Sequence, residues 1–137
     1  MSGVRLLPYA DFLGISIVGD QHGSPLLVMP YADGLRGISE RLHGGAISGL
    51  LEIAAIAAID ATLDEPGDGR SIFKPISVTL DFMRPGLQAE TFACGRVIRI
   101  GQRIANVAVE AWQDDPGRPI AAARMNLAIG MPRREEG

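Results

Sequence analysis

Residues 46–63, AISGLLEIAAIAAIDATL, restrict the possible folds more than any other part of the chain. Only Ser48, Glu52, Asp60 and Thr62 are polar, so apolar residues occupy nearly every face of a helix. A helix apolar all round is stable only when it is buried on all sides. The run is long enough to cross a bilayer, but Glu52 and Asp60 make that costly, and no second candidate follows. Alanines at 54, 55, 57, 58 and 61 keep the helix slim, so neighbouring backbone can approach closely. The segment reads as a central helix wrapped by other structure. An acidic loop containing Pro66, Gly67 and Gly69 ends it.

Beyond that loop the apolar period changes from helical to alternating. In residues 77–83, Val78, Leu80 and Phe82 face one way and Ser77, Thr79 and Asp81 the other. Arg84-Pro85-Gly86 makes a break, and strands are expected at 91–100, 103–112 and 120–131. Gly101-Gln102 and Asp114-Asp115-Pro116-Gly117 supply the turns between them. These four strands read as an antiparallel meander, long enough to curve around one helix. Ahead of the helix, residues 14–18 and 25–29 flank a turn at 19–24, and residues 6–13 form a short leading helix interrupted by Pro8. The order is α+β, with a long central helix wrapped by a curved antiparallel sheet of five to six strands.

A chain of 137 residues is one domain, 1–137. Its 47% hydrophobic content excludes disorder, and a net charge of −3 leaves no general footprint for nucleic acid. One cysteine and two histidines permit neither an internal disulfide nor a four-ligand structural zinc site. The N-terminal MSGVRLLPYADF has no apolar run suited to a secretory signal, so a soluble cytoplasmic protein with no membrane association is expected. Twelve of the thirteen basic residues are arginine, the type suited to bidentate phosphate and carboxylate contacts.

The chemistry concentrates at the helix entry. His43-Gly44-Gly45 precedes the apolar run, where unpaired N–H groups and the positive end of the helix dipole suit a developing oxyanion. The plainer reading is that two glycines let the helix pack tightly. Glu52 has no basic residue between positions 44 and 63 to pair with it. Either an arginine of the sheet or of another chain neutralises it, or it is a general base or nucleophile in a dry pocket. Gly44 and Glu52 are eight residues apart, about 12 Å along one helix. A reacting carbonyl must lie within roughly 3 Å of both groups, so one helix cannot supply both. A catalytic reading therefore requires two antiparallel central helices and a symmetric dimer with two interfacial sites.

LHGGAISGLLE, followed by SVTLDFMRPG and RVIRIGQRIANVAVEAW, resembles the hotdog-fold acyl-CoA thioesterases of the phenylacetate-pathway and 4-hydroxybenzoyl-CoA type. The resemblance runs from Phe12-Leu13-Gly14-Ile15 to Ile129 and is specific in the combination of its motifs. It implies a hotdog fold, commonly as a dimer of dimers, and hydrolysis of an acyl- or aroyl-CoA with no metal and no cofactor beyond the substrate's own coenzyme A. Gly44 matches the position whose N–H polarises the thioester carbonyl, and Glu52 matches the catalytic carboxylate. His43 and Gly45 complete the motif, with His43 a shaping residue rather than the base.

Two positions depart from that pattern. Gly37 stands where members often carry Asn or Gln, and Pro75 stands where a hydroxyl residue often begins the strand. Ser39, Arg41 and Ser48 are candidates to compensate. Arg84, Arg96, Arg99 and Arg103 against Glu90 give a local positive stretch, and Arg84, Arg99 and Arg103 are the coenzyme A candidates. Ser48 and Ile56 are the expected substrate contacts on the helix. Cys94 reads as a small core residue, His22 as an exposed turn residue and Trp112 as packing. The rival readings are a non-catalytic acyl-CoA binding protein and a hotdog dehydratase using His43 as base.

Overall fold

The computed structural model describes residues 6–63 and 72–130. Helix α1, Pro8–Leu13, opens the described chain, and Pro8 falls in its first turn, where a missing N–H costs nothing. Strands β1, Ser16–Gln21, and β2, Ser24–Met29, form a hairpin. Its turn is only His22-Gly23, with φ of 56° and 79°, so the tight two-residue connection replaces the six-residue turn expected from sequence.

Helix α2, Gly44–Thr62, takes both entry glycines into its first turn. From Ala46 to Asp60 every position except Ser48 and Glu52 is buried. By length and hydropathy α2 could span a bilayer, but here its apolar surface is covered by the chain's own sheet. The acidic loop expected to end it lies outside the described residues.

Four further strands follow: β3, Ile72–Phe82; β4, Thr91–Ile100; β5, Ile104–Trp112; and β6, Ala121–Gly130. The six strands form one antiparallel sheet in the order β1-β2-β4-β5-β6-β3. The four-strand meander expected from sequence is thus corrected. Only β4, β5 and β6 run as neighbours, and β3 pairs with β6 at the far edge. The reason lies in residues 83–90. Met83 and Arg84 N–H both bond the Ile120 carbonyl, after which Gly86 accepts from Leu42 N–H at 2.9 Å. The connection therefore crosses the start of α2 and delivers the chain to the other side of β5. Gly86 suits this close crossing, because a Cβ would lie 3.0 Å from Leu42 Cβ and 3.2 Å from Ile47. Strand β3 also begins five residues earlier than expected and carries a bulge between Pro75 and Ser77.

The helix lies across β2, β4 and β5. Ala105, Val107, Val109 and Ala111 of β5 face it, as do Ala121, Ala123, Met125 and Leu127 of β6. The alanines of α2 have a specific counterpart in β4. A Cβ on Gly95 would meet the Ala54 carbonyl and Ala58 Cβ at 2.9 Å, so backbone approaches backbone with no side chain between. On the outer face an exposed ladder runs from Asn106 to Asn126 to Ser77. The alternation expected for β3 holds, since Val78, Leu80 and Phe82 pair with Met125, Ala123 and Ala121 on the helix side. That side is left open, with Val78 43% and Phe82 55% exposed.

Candidate active site

His43 caps α2 by an unusual route. Its Nδ1 accepts from the Gly45 N–H at 2.8 Å, while its carbonyl receives Ala46 and Ile47 N–H. Nδ1 is thereby occupied as an acceptor, and a neutral ring carries its proton on Nε2. His43 N–H donates to the Leu35 carbonyl at 2.7 Å, which fixes the entry peptide. Gly44 N–H has no acceptor among the described residues. Gly44 lines a cleft of about 300 Å³ together with Ile47, Phe82, Met83 and Arg84. The Phe82 ring lies 3.7 Å from where a Gly44 Cβ would stand. An orphan donor at the positive end of a helix, beside an apolar ring, is suited to an oxyanion.

Ser48 sits one turn on, and its hydroxyl donates to the Gly44 carbonyl at 2.9 Å. Glu52 follows one turn later, half-buried, and among the described residues no side chain or backbone group bonds or pairs with it. Neutralisation by an arginine of the same chain is therefore not observed among those residues. Gly44, Gly45, Ser48 and Glu52 are the positions of α2 before its last turn that reach the surface, and they form one stripe. Phe82 walls it on one side. On the other, Tyr9 and Leu13 of α1 press against Gly49, where a Cβ would be 3.0 Å from each.

The remaining sequence candidates scatter. Ile56 is buried in the core. Arg84 borders the Gly44 cleft, but Arg99 and Arg103 stand at the opposite end of the sheet. Arg99 shares a row with Asn106, Asn126 and Ser77, whereas Phe82 shares one with Ala121, Ala111 and Ala93. Five residues of β5 separate those rows, about 17 Å. One chain does not bring these three arginines to one ligand end. Arg96 lies on the outer face, opposite Ala108. Pro75 stands near the far end of β3, seven residues from Phe82.

Gly37 is held by the turn in front of the helix. Its N–H bonds the Arg41 carbonyl at 2.6 Å, and Arg41 N–H returns to Ile38. Ser39 and Glu40 both take positive φ, 58° and 56°, inside this turn. The Gln88 side chain clamps it through the Glu40 carbonyl at 2.6 Å. A Cβ at Gly37 would lie 3.0 Å from His43 Cα. Ser39 and Arg41 are both exposed.

Cys94 is only half-buried and lies on the outer face of β4, a correction to its expected place in the core. Burial first, then the negative charge of Asp20, pushes its thiol up to about 11, partly offset by backbone hydrogen bonding at Gln21. Alkylation of Cys94 by iodoacetamide at pH 8 is expected to run about a hundredfold slower than for a free cysteine. Mass spectrometry checks this, and a rate equal to that of N-acetylcysteine would contradict it. His22 is exposed at its turn, and Trp112 is buried and stacked on Phe92 at 6.2 Å.

Sequence reading missed Phe82 as a wall of the site, and Gln88 and Gln113 as clamps on residues that neighbour it. The glutamines gave no pattern to find, because their partners are backbone groups distant in sequence.

A long buried helix against this six-stranded antiparallel sheet is the hotdog architecture, here with an open donor at the helix start and a carboxylate two turns on. The family model for the acyl-CoA thioesterase N-terminal domain matches residues 32–128, and the chain belongs to that family. It is a thioester hydrolase. Among solved structures, a phenylacetic acid degradation-related protein of Ralstonia eutropha is 24% identical, with a TM-score of 0.77 over 90% of this chain and 92% of that one. A thioesterase of Haemophilus influenzae is 18% identical, with a TM-score of 0.78 over 94% and 87%. A protein from Chromobacterium violaceum is 32% identical, with a TM-score of 0.69 over 89% and 82%. A search of curated proteins gave no match.

Proposed function

We propose that the chain hydrolyses an acyl- or aroyl-CoA thioester at sites shared by two copies, Gly44 coming from one and Glu52 from the other. The observation that carries this reading is the stripe of Gly44, Ser48 and Glu52, left open on a helix otherwise buried. Its two functional ends are too far apart to act on one carbon from a single chain. A second copy is the occupant that completes the site. Two stripes laid antiparallel put each Gly44 beside the partner's carboxylate, with Ser48, midway between them, next to the two-fold axis. The open side of β3, with Val78 and Phe82, offers apolar surface continuous with that seam.

In this arrangement Gly44 N–H receives the thioester carbonyl oxygen. The facing Glu52 carboxylate takes a proton from water, whose oxygen attacks the carbonyl carbon. The oxyanion formed stays on the Gly44 donor. As the C–S bond breaks, the coenzyme A thiolate leaves and takes the proton from Glu52. Alternatively the carboxylate attacks the carbonyl carbon directly and expels the thiolate, and water adding at the Glu52 carbonyl of the resulting anhydride releases the acid and leaves solvent oxygen in that side chain. His43 shapes the entry through its bond to Gly45 and is not the base. The step as written uses no metal or redox cofactor. The assembly is a dimer or a dimer of dimers.

Complementation tests the shared site. Gly44→Pro removes the donor N–H at a first-turn position that tolerates proline, and His43, at φ −65° and ψ 134°, already has the conformation a following proline demands. Gly44→Pro and Glu52→Ala proteins are each expected to be inactive alone. Mixed after dissociation, half of the dimers are hybrids with one intact site of two, so about a quarter of wild-type activity returns. No recovery in verified hybrids would mean that both groups act within one chain, and would overturn the reading.

A further inference from the structure

The turn at residues 36–41, directly ahead of α2, is held together almost without a core. It hangs between Leu35 and Leu42, both buried, yet Arg36, Ile38, Ser39, Glu40 and Arg41 are all exposed. Hydrogen bonds, not burial, shape it. Two consecutive non-glycine residues, Ser39 and Glu40, sit in the left-handed region at φ 58° and 56°. That conformation is unfavourable for L-residues and persists only where neighbouring groups enforce it. Building on the thioesterase reading above, we infer that Gln88 enforces it, and so acts as a positioning residue that aims the Gly44 N–H at the thioester carbonyl.

Gln88 Nε2 donates to the Glu40 carbonyl at 2.6 Å, and among the described residues no other side chain bonds the turn. Gln88 is itself braced by Gln113, which follows β5 directly. Gln113 Oε1 accepts from the Leu87 N–H at 2.9 Å, and its Nε2 donates to the carbonyls of Leu87 at 2.9 Å and Ala89 at 3.3 Å. Both neighbours of Gln88 are thus tied to the end of a sheet strand. From this fixed point one side chain reaches across to the strained turn.

Short links carry the turn's geometry to the donor. Gly37 N–H bonds the Arg41 carbonyl at 2.6 Å and closes the turn. Gly37 also lies against the helix entry, since a Cβ there would be 3.0 Å from His43 Cα. Arg36 bridges Leu42, and His43 N–H bonds the Leu35 carbonyl at 2.7 Å. The next peptide, between His43 and Gly44, bears the open N–H. Should Glu40 leave the left-handed region, the Arg41 carbonyl swings, Gly37 shifts against His43, and that peptide tilts. An oxyanion donor works only when aimed at the place where charge develops. Its misalignment therefore lowers kcat and leaves KM nearly unchanged.

Gln88→Met keeps the side-chain length and removes the donor. In the whole protein, kcat for acyl-CoA hydrolysis is expected to fall about tenfold, with KM within about twofold. Melting temperature and oligomer size should not change, because the lost bond is exposed. Glycine adopts positive φ freely, so Gln88→Met/Glu40→Gly should return kcat to within about threefold of wild type. The donor is read directly by difference infrared spectroscopy of acyl-CoA carrying a carbon-13 thioester carbonyl, bound to Glu52→Ala protein. Its carbonyl stretch should drop below the value in water, and drop less in Glu52→Ala/Gln88→Met. Unchanged kcat in Gln88→Met, an undiminished carbonyl shift, or no rescue by Glu40→Gly would overturn the role of Gln88. A loss of rate matched by a lower melting temperature would also overturn it, leaving Gln88 a part of folding alone. Normal hydrolysis by Glu52→Ala would instead remove the carboxylate from the mechanism, while kcat and its rescue still decide the part of Gln88. Should wild-type protein bind acyl-CoA without cleaving it, the hydrolase reading falls, and the carbonyl shift in wild type against Gln88→Met still tests the aim of the donor.

Discussion

Glu52→Ala is expected to slow acyl-CoA hydrolysis by about a thousandfold or more, in line with the loss of a positioned base or nucleophile. Free thiol released from a panel of short, medium and aromatic acyl-CoAs reads the effect directly. The same substitution should not lower the melting temperature. Glu52 is a half-buried carboxylate with no partner among the described residues, so its removal relieves a desolvation cost and breaks no bond. Loss of activity together with full stability and unchanged oligomer size is the expected signature. Wild-type rates in the variant would refute a catalytic role for this residue.

The largest effect on stability is expected at a residue remote from the chemistry. Gly95→Val should destabilise the fold by about 3 kcal/mol or more, and Gly95→Ala by about 1–3 kcal/mol. A Cβ there would press on the Ala54 carbonyl and the Ala58 methyl group at 2.9 Å, and on Ala55 Cα at 3.3 Å. None of these atoms belongs to a flexible side chain that could swing aside, so relief requires shifting α2 away from β4. Gly34→Ala is the control, because no atom lies within 4 Å of its would-be Cβ, and it should stay within about 0.5 kcal/mol of wild type. Urea denaturation midpoints at constant m-value separate the two cases. A tolerated Gly95→Val would show that the helix and sheet are not in the contact described.

The helix was legible because its signal is local: eighteen residues with almost no polar face leave burial as the only stable option. The strands were legible for the same reason, since alternation and turn residues lie within each segment. The order of strands was not. Whether β3 joins β4 or β6 depends on where residues 83–90 travel, and that is fixed by Leu42 N–H meeting Gly86, a contact with no trace in either segment's periodicity. Boundaries failed where one or two residues decide them, as at the His22-Gly23 turn, where two positive φ values allow a connection shorter than the polar stretch suggests. Gly44 and Glu52 stood out because a carboxylate in an apolar run and glycines at a helix entry are chemically conspicuous. Phe82 did not, because an aromatic in an alternating strand looks like ordinary core until the fold sets its ring beside Gly44.

Gly37 carries a consequence for how this chain can change. A side-chain amide at that position would crowd the helix entry, because its Cβ would lie 3.0 Å from His43 Cα and the entry backbone would have to yield by a few tenths of an ångström. That backbone is tied to Leu35 through the His43 N–H, so the crowding falls on the peptide that carries the His43 cap. An Asn or Gln introduced there is therefore expected to be felt first at the start of the long helix, through the peptide that carries His43.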